Sequence, residues 1–310
     1  MKTALVTGCA GFIGSHVAES LINMGFFVHG IDCFTDYYPK AVKILNLKSL
    51  IPSDNFEFIE SDINTMVSFP EVDYVFHLAA QAGVRQSWGD DFHNYSRQNI
   101  EVTQKLLEFY KESSIQKFVY ASSSSIYGDV PLPMTETSTP HPISPYGVTK
   151  LAAEHLCHLY WKSYGLPTIS LRFFTVYGPR QRPDMAISKF LNAIIMKQPI
   201  TIYGDGNQTR DFTFVSDVVD ANILAALKGN PGAVYNVGGG NKISVVNLVK
   251  LLGSICDSSP QMIFQPPQRG DAQDTLADTT LIKKDLDWNP KIDIENGLKI
   301  FVEWYKCRSY

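Results

Sequence analysis

The chain has 310 residues, enough for one large domain or two modest ones, and its 45% apolar and 19% charged residues are typical of globular proteins. A net charge of −4 argues against the basic surfaces that bind nucleic acids or anionic membranes. The five cysteines are widely spaced and form no CxxC pair, which argues against a disulfide framework or a metal site. We expect no signal peptide, no membrane-spanning segment and a cytoplasmic location.

Short apolar runs alternate with segments of helical periodicity in the first half of the chain. The predicted strands cover residues 3–7, 26–32, 56–62, 72–80, 117–123 and 167–174. The predicted helices cover residues 12–25, 92–112 and 144–165. Strands that alternate with helices are joined by right-handed crossovers, so we predict an α/β fold with a doubly wound parallel sheet of the Rossmann type.

The regular alternation breaks after Arg172, and the elements that follow are shorter and richer in proline and glycine. Residues 212–230 look like a return to the first unit. We therefore predict a dinucleotide-binding domain of residues 1–174 plus 208–232. The remaining segments, 175–207 plus 233–310, are predicted to form a smaller C-terminal lobe.

The stretch "VTGCAGFIGSH" places Gly8, Gly11 and Gly14 at a strand-to-helix turn. In a dinucleotide loop the first glycine permits the turn, the second lets backbone approach the pyrophosphate and the third lets the helix pack on the strand. The helix N-terminus adds N–H groups and a favourable dipole. The alternative is a glycine-rich turn without a ligand.

Two acidic residues end the next predicted strands. Asp32 lies about 20 residues beyond the glycines, where a carboxylate accepts hydrogen bonds from the adenosine ribose and disfavours a 2′-phosphate. It predicts NAD rather than NADP as the cofactor. Asp62 is placed to meet the adenine, although aspartate is also common at strand ends.

Tyr146 and Lys150 are four residues apart near the start of a predicted helix, on one face. A YxxxK match is expected about once by chance, so its weight comes from the upstream glycine loop and the serine run 122–125. A phenol titrates near pH ~10, and a neighbouring ammonium favours its ionised form. We predict that Tyr146 removes a proton from an alcohol while hydride leaves for NAD, and that a serine hydroxyl positions the reacting oxygen.

With these residues in place, the chain resembles the extended short-chain dehydrogenase/reductases, and among them the nucleotide-sugar epimerases. The resemblance covers nearly the whole sequence and rests on motifs that include "TGCAGFIGSH", "HLAAQAGVR", "ASSSSIYG", "YGVTK" and "IYGDGNQTRDFTFVSDV". "RFFTVYGP" followed by "RPDMA" is most similar to the UDP-glucuronate 4-epimerases. The resemblance implies epimerisation of UDP-glucuronate to UDP-galacturonate through a 4-keto intermediate, with NAD as a bound prosthetic group.

The resemblance selects one residue of the serine run as catalytic. The family places a serine or threonine four residues before the tyrosine of "YG", which here is Ser123. Relatives that dehydrate or decarboxylate the sugar carry acids one or two places later, where this chain has Ser124 and Ser125. The resemblance thus implies oxidation and reduction without elimination or loss of carbon dioxide.

Oxidation at C4 of a glucuronate gives a β-keto acid, which loses carbon dioxide easily unless its carboxylate is held near the ketone plane. The resemblance and this requirement assign Arg182, Thr175 and one or both of Ser124 and Ser125 to the carboxylate, because a guanidinium binds a carboxylate bidentately. A solvated loop charge is the alternative for Arg182.

The resemblance also implies contacts to the remaining parts of substrate and cofactor. Arg210 corresponds to a phosphate contact and Asp271 to a contact with the uridine ribose, with Lys189 and Arg269 as further candidates; Arg269 departs from the family pattern. Arg85 either faces the sugar carboxylate or closes a loop. The remaining cofactor contacts implied are Phe12, Ile13, Ile63, Leu78, Ala79, Ala80 and Asn99.

The sequence leaves open three alternatives to epimerisation of UDP-glucuronate. The substrate is a neutral UDP-hexose or UDP-N-acetylhexosamine, the reaction is decarboxylation of UDP-glucuronate, or the protein is a dinucleotide sensor without catalytic activity. The resemblance further implies a homodimer formed by the helices predicted at 92–112 and 144–165. No histidine spacing predicts a metal site.

Overall fold

The structure is a computed structural model, and it describes residues 1–307. Seven parallel strands form the main sheet in the order β3-β2-β1-β4-β5-β6-β10, which confirms the predicted doubly wound α/β fold. The strands of this sheet are β1 Thr3–Thr7, β2 Phe27–Asp32, β3 Phe56–Glu60, β4 Tyr74–His77, β5 Lys117–Ser123, β6 Thr168–Phe173 and β10 Val234–Val237.

Two small sheets complete the fold. A three-stranded sheet contains β7 Thr175–Tyr177, β9 Thr209–Phe214 and β11 Lys242–Ser244, and a two-stranded parallel sheet contains β8 Ile200–Tyr203 and β12 Met262–Gln265. The α-helices are α1 Phe12–Asn23, α2 Lys40–Asn46, α3 Phe92–Tyr95, α4 Val102–Tyr110, α5 Pro145–Tyr164, α6 Ala186–Ile195, α7 Val215–Lys228, α8 Val245–Ile255, α9 Thr280–Leu286 and α10 Ile294–Cys307.

The helix predicted at 92–112 is not uniform. It consists of α3, a π-helical segment Ser96–Glu101 and α4. Asn99 lies in the π-helical segment, and such segments are often found at functional sites. The strand predicted at 72–80 is likewise shorter, because residues 78–80 leave the sheet and line a cavity beside it.

The sheet topology bears on the predicted two-unit division of the chain. Strand β10, which was predicted to belong to the smaller lobe, pairs in parallel with β6 at the edge of the main sheet. Helix α7 packs against α1 on that sheet, whereas β9 pairs with β7 and β11. The division otherwise stays a prediction, and residues 308–310 of its second unit lie outside the described residues.

Strand order places the candidate site at the carboxyl ends of the central strands of the main sheet. After β1 the chain continues to β2 on one side, and after β4 it continues to β5 on the other side. The gap between β1 and β4, where the strand order reverses, is the place where α/β proteins bind ligands. Thr7 and His77 are register partners at the ends of these two strands. The loops that follow them therefore meet at the carboxyl edge.

Candidate functional site

An open cavity lies at the carboxyl ends of these strands. The predicted cofactor residues that line it are Gly8, Gly11, Phe12, Ile13, Gly14, Asp32, Asp62, Ile63, Leu78, Ala79, Ala80, Tyr146 and Lys150. Its mixture of apolar walls with a few polar groups suits an organic ligand. The structure thus brings together residues from five separate segments of the sequence.

The glycine loop has the geometry that a bound pyrophosphate requires. Helix α1 begins at Phe12 with Gly11 as its N-cap and no side chain capping its first N–H groups. A Cβ on Gly14 would lie 2.1 Å from the carbonyl oxygen of Gly8, so only glycine allows this close packing. The free N–H groups at the helix start therefore fit an anion.

Asp32 is held rigidly at the end of β2. Its Oδ1 accepts a hydrogen bond from the backbone N–H of Phe34 at 2.8 Å, and its Oδ2 accepts one from Ala10 at 3.1 Å. Burial raises the pKa of Asp32, while these hydrogen bonds and the charge of Lys43 oppose the rise. Each oxygen keeps a lone pair for the two hydroxyls of a ribose.

Lys43 was missed by the sequence reasoning. It lines the cavity from α2, with its Nζ donating to the carbonyl oxygen of Thr35 at 2.7 Å and to the Thr35 hydroxyl at 3.1 Å. Burial lowers its pKa, and the neighbouring Asp32 opposes this. A lysine on a short helix in "PKAVKIL" carries no motif, so only the folded chain places it beside Asp32.

Helix α5 positions Tyr146 and Lys150 within its first two turns. Ser144 caps the helix by accepting a hydrogen bond from Gly147 N–H at 3.1 Å, and Pro145 occupies the first turn. A Cβ on Gly147 would lie 2.4 Å from the carbonyl oxygen of Ser125. Glycine at 147 therefore lets the start of the helix lie against the serine run.

The four serines have different partners. Ser122 donates to Glu154 Oε2 at 2.6 Å, and Ser123 accepts from the backbone N–H of Ser125 at 3.1 Å. The Ser123 hydroxyl also lowers the pKa of the Tyr146 phenol. Ser122 lines the cavity, whereas Ser123, Ser124 and Ser125 do not. The pairing of Ser123 with Tyr146 stays a prediction.

The predicted effect of Lys150 on Tyr146 differs from what the structure gives. Burial raises the pKa of Tyr146, and the groups that oppose the rise are Ser123 and Arg182. Lys150 is buried, with its Nζ 4.4 Å from the centre of the Tyr120 ring, and burial lowers its own pKa to about 7. Burial thus disfavours the charged form of Lys150, which makes it a weaker source of positive charge than expected.

Asn99 braces the cavity without lining it. Its Oδ1 accepts from Gln81 N–H at 2.8 Å, and its Nδ2 donates to the Gln81 carbonyl oxygen at 3.0 Å and to the Thr149 hydroxyl at 2.9 Å. It therefore ties the segment after β4 to the turn of α5 between Tyr146 and Lys150. Its neighbour Gln98 lines the cavity instead.

A second open cavity adjoins the first and receives part of the predicted substrate set. Arg85, Lys189 and Asp271 line it, together with Tyr203 and the rim residue Tyr37, which also lines the first cavity. Arg85 donates from Nη2 to Asp271 Oδ2 at 2.7 Å, and its guanidinium lies 4.5 Å from the centre of the Tyr203 ring. Arg85 thus contacts another predicted substrate residue.

The other predicted substrate residues lie around these cavities. Arg182 lines the first cavity beside Tyr146, whereas Thr175 begins β7 and lines neither cavity. Arg210 donates to the carbonyl oxygens of Thr209 and Gln273, and Arg269 is exposed. The structure therefore does not bring Thr175, Arg210 and Arg269 to the cavity walls. Among residues 1–307 no group of three or more metal-ligating side chains is present.

A doubly wound sheet with a glycine-rich turn, a half-buried carboxylate at the end of β2 and a Ser–Tyr–Lys site defines an enzyme that uses a nicotinamide dinucleotide. The sequence profile of the NAD dependent epimerase/dehydratase family matches residues 4–238, and the chain belongs to this family. This confirms the resemblance and the NAD cofactor inferred from the sequence.

Relatives that match nearly the whole chain are similar to it in sequence and in fold. The chain is 45% identical over 301 residues to the protein named "Uncharacterized UDP-glucose epimerase YtcB" of Bacillus subtilis (95% of each chain). It is 40% identical to a UDP-glucuronate 4-epimerase of Thermodesulfobacterium geofontis (97% of this chain, 95% of the relative). The crystal structure of UDP-glucuronic acid 4-epimerase from Bacillus cereus with UDP-glucuronic acid and NAD superposes with a TM-score of 0.96 at 41% identity, covering 98% of this chain and 99% of the other.

Proposed function

We propose that the protein is a UDP-glucuronate 4-epimerase, an isomerase that interconverts UDP-glucuronate and UDP-galacturonate with NAD as a bound prosthetic group. The observation that carries this proposal is the placement of Arg182 beside Tyr146 on the wall of the NAD cavity, in a chain that matches the Bacillus cereus epimerase over almost its whole length. The cation supports an acidic sugar at the catalytic tyrosine.

The proposed chemistry uses three residues. Tyr146 removes the proton from the 4-hydroxyl, Ser123 hydrogen-bonds the reacting oxygen, and Lys150 holds the cofactor ribose. NAD, when bound, accepts hydride from C4 and returns it to the opposite face of the sugar. Between the two transfers the 4-keto sugar turns about its pyrophosphate link, and Tyr146 then returns the proton to O4, so the reaction has no net oxidation.

We propose that the second cavity takes the UDP. Lys189 and Arg85 are the cations that line it, and Asp271 offers a carboxylate to the uridine ribose. Arg210 and Arg269 are proposed to approach the phosphates from outside its wall, and Thr175, Ser124 and Ser125 to donate to the sugar carboxylate. The strand β8 and its following turn, with Ile202 and Tyr203, bring backbone groups to the uracil.

One observation favours a second candidate. The Bacillus subtilis relative carries the name of a UDP-glucose epimerase and is 45% identical to this chain. A neutral UDP-hexose as substrate is therefore the alternative that the experiment must separate.

The test is incubation of the purified protein with UDP-glucuronate and, separately, with UDP-glucose, without added NAD, followed by proton NMR. We expect UDP-galacturonate from the first substrate, and loss of about 10²–10⁴-fold in rate for Tyr146→Phe. Conversion of UDP-glucose alone assigns the neutral substrate. Full activity of Tyr146→Phe excludes the proposed base.

We also propose a cytoplasmic homodimer. Apolar side chains remain exposed on the two neighbouring helical segments, among them Phe109 on α4, at 39%, and Leu159 on α5, at 52%. Pairing these helices across a two-fold axis would cover them. Sedimentation of Leu159→Glu tests this, because a charge in the pair should give monomers. None of the helices within residues 1–307 is long and apolar enough to cross a membrane.

A further inference from the structure

Arg182 is fixed by a carboxylate and a phenol that sequence reasoning did not single out. Its Nε donates to Asp184 Oδ1 at 2.9 Å, and its Nη2 donates to Asp184 Oδ2 at 3.0 Å. Tyr37 donates to the same Oδ2 at 3.3 Å, and its ring centre lies 5.5 Å from the guanidinium carbon. One edge of the guanidinium is therefore fully occupied by Asp184.

The opposite edge of the guanidinium remains available. Among residues 1–307, Arg182 Nη1 has no hydrogen-bond acceptor, although Arg182 is mostly buried, with 21% of its side chain exposed. Arg182 lines the NAD cavity together with Tyr146 and Lys150. A planar guanidinium held along one edge can present its Nη1 and second Nη2 hydrogens to another carboxylate in a defined direction.

Tyr37 links this cluster to the cofactor segment. It follows Asp32 by five residues and lines both cavities, so it lies where the two meet. A Cβ on Gly83 would lie 2.2 Å from the Tyr37 hydroxyl oxygen, so glycine at 83 leaves room for the phenol. The loop after β2 therefore supports both the cofactor cavity and the orientation of Arg182.

We propose that Asp184 and Tyr37 are positioning residues that hold the free edge of Arg182 towards the sugar carboxylate. This orientation favours an acidic over a neutral UDP-sugar. It also protects the keto acid from loss of carbon dioxide. The inference rests on the proposed function. In that loss the C5–C6 bond breaks, its electron pair enters the C4 ketone as an enolate, carbon dioxide leaves and a proton later adds to C5. The bond must stand out of the ketone plane for this, so a carboxylate held near the plane is retained.

Orientation and net charge give opposite expectations for Asp184→Asn. The variant makes the site more positive by one charge, so a role in charge alone would increase the preference for the acidic sugar. The amide of the variant offers only one oxygen to the Nε and Nη2 groups of Arg182 and turns an N–H group towards the other of these two nitrogens. Arg182 would then lose its fixed orientation, so a role in positioning would decrease the preference for the acidic sugar. The sign of the change separates the two roles.

The first experiment measures binding by calorimetry in a Tyr146→Phe background, which does not turn over. We expect Asp184→Asn to lower the ratio of affinities for UDP-glucuronate over UDP-glucose at least threefold, and to leave the affinity for UDP within twofold. Tyr37→Phe, which changes no charge, should lower the ratio less. An unchanged or increased ratio overturns the proposal. This result does not need turnover, so it stands even if the parent fails to epimerise UDP-glucuronate.

The second experiment measures the fraction of carbon dioxide released per UDP-glucuronate converted in proteins with native Tyr146. We expect Asp184→Asn to raise that fraction about tenfold, with a smaller rise for Tyr37→Phe. Asp220→Asn is the matched control, because Asp220 pairs with Lys291 at 2.6 Å on the exposed surface. A lower rate on UDP-glucuronate without extra carbon dioxide would reduce Asp184 to a structural role and sink the proposal.

Discussion

Glu154 and Arg172 form a buried bidentate ion pair that joins helix α5 to strand β6. Arg172 Nη2 lies 2.7 Å from Glu154 Oε1 and Arg172 Nε lies 3.1 Å from Oε2, with 6% of each side chain exposed. Glu154 also accepts from Ser122, and Arg172 donates to the Tyr127 hydroxyl at 2.7 Å. The pair therefore holds both ends of the serine run against the helix that carries Tyr146.

Glu154→Gln should destabilise the protein strongly. Removing one partner of a buried pair leaves an uncompensated charge, at a typical cost of 3–5 kcal/mol. Chemical denaturation measures this cost. The control is Glu295→Gln, whose pair with Lys299 is exposed and should contribute less than about 1 kcal/mol. Equal losses in the two variants would contradict the role given to the buried pair.

Gly14→Ala should release the cofactor. The added methyl would meet the Gly8 carbonyl oxygen at 2.1 Å and force helix α1 away from the loop that is proposed to hold the pyrophosphate. We expect NAD in the purified protein, measured by absorbance after acid release, to fall at least tenfold. Gly25→Ala provides the comparison, because its φ of +81° costs backbone strain but no atom lies within 4 Å of the new Cβ. Cofactor loss in that variant too would point to general instability.

Lys43→Met should weaken NAD binding more at pH 5.5 than at pH 7.5. Lys43 opposes the rise in the pKa of Asp32 that burial causes, so its removal raises that pKa further. A larger fraction of Asp32 is then protonated at low pH and cannot accept from both ribose hydroxyls. Cofactor retention on dialysis at the two pH values measures the effect. Lys48→Met, at an exposed lysine nearby, should behave as the parent, and a pH-independent loss in Lys43→Met would contradict the coupling.

Acid should destabilise the protein in part through His77. Its Nδ1 pairs with Thr7 at 2.8 Å and its Nε2 with Thr103 at 2.9 Å, and burial lowers its pKa to about 3. The unfolded chain binds a proton near pH ~6.5 and the folded chain does not, so the free energy of unfolding falls as pH drops from about 6.5 towards 3.

The expected slope from this group is about 1.4 kcal/mol per pH unit. His77→Asn should flatten the dependence of unfolding free energy on pH by this amount, as measured by urea denaturation at several pH values. His155→Asn, on the exposed face of α5, is the control. A slope that is the same in parent and His77→Asn would refute the contribution.

Local patterns in the sequence predicted six of the seven strands of the main sheet, all except β10, and most of the residues that line the cavity beside it. Gly14, Asp32 and Tyr146 follow from spacing alone, because a strand, its turn and the next helix fix their relative positions within a few residues. The resemblance to epimerases added Ser123 and Arg182. The pairing of β10 with β6 was not predicted, because it depends on a contact between residues more than sixty positions apart.

Only the tertiary structure decided which charged groups meet. Lys43 beside Asp32, Asp184 beside Arg182 and the low pKa of Lys150 all depend on burial and on neighbours from other segments, and no short motif encodes either. The sequence by itself determined the fold class, the dinucleotide loop and the Tyr–Lys pair, since these rest on local periodicity and fixed spacing. Folding determined the electrostatics, because an electric field depends on distances in space and on the exclusion of water.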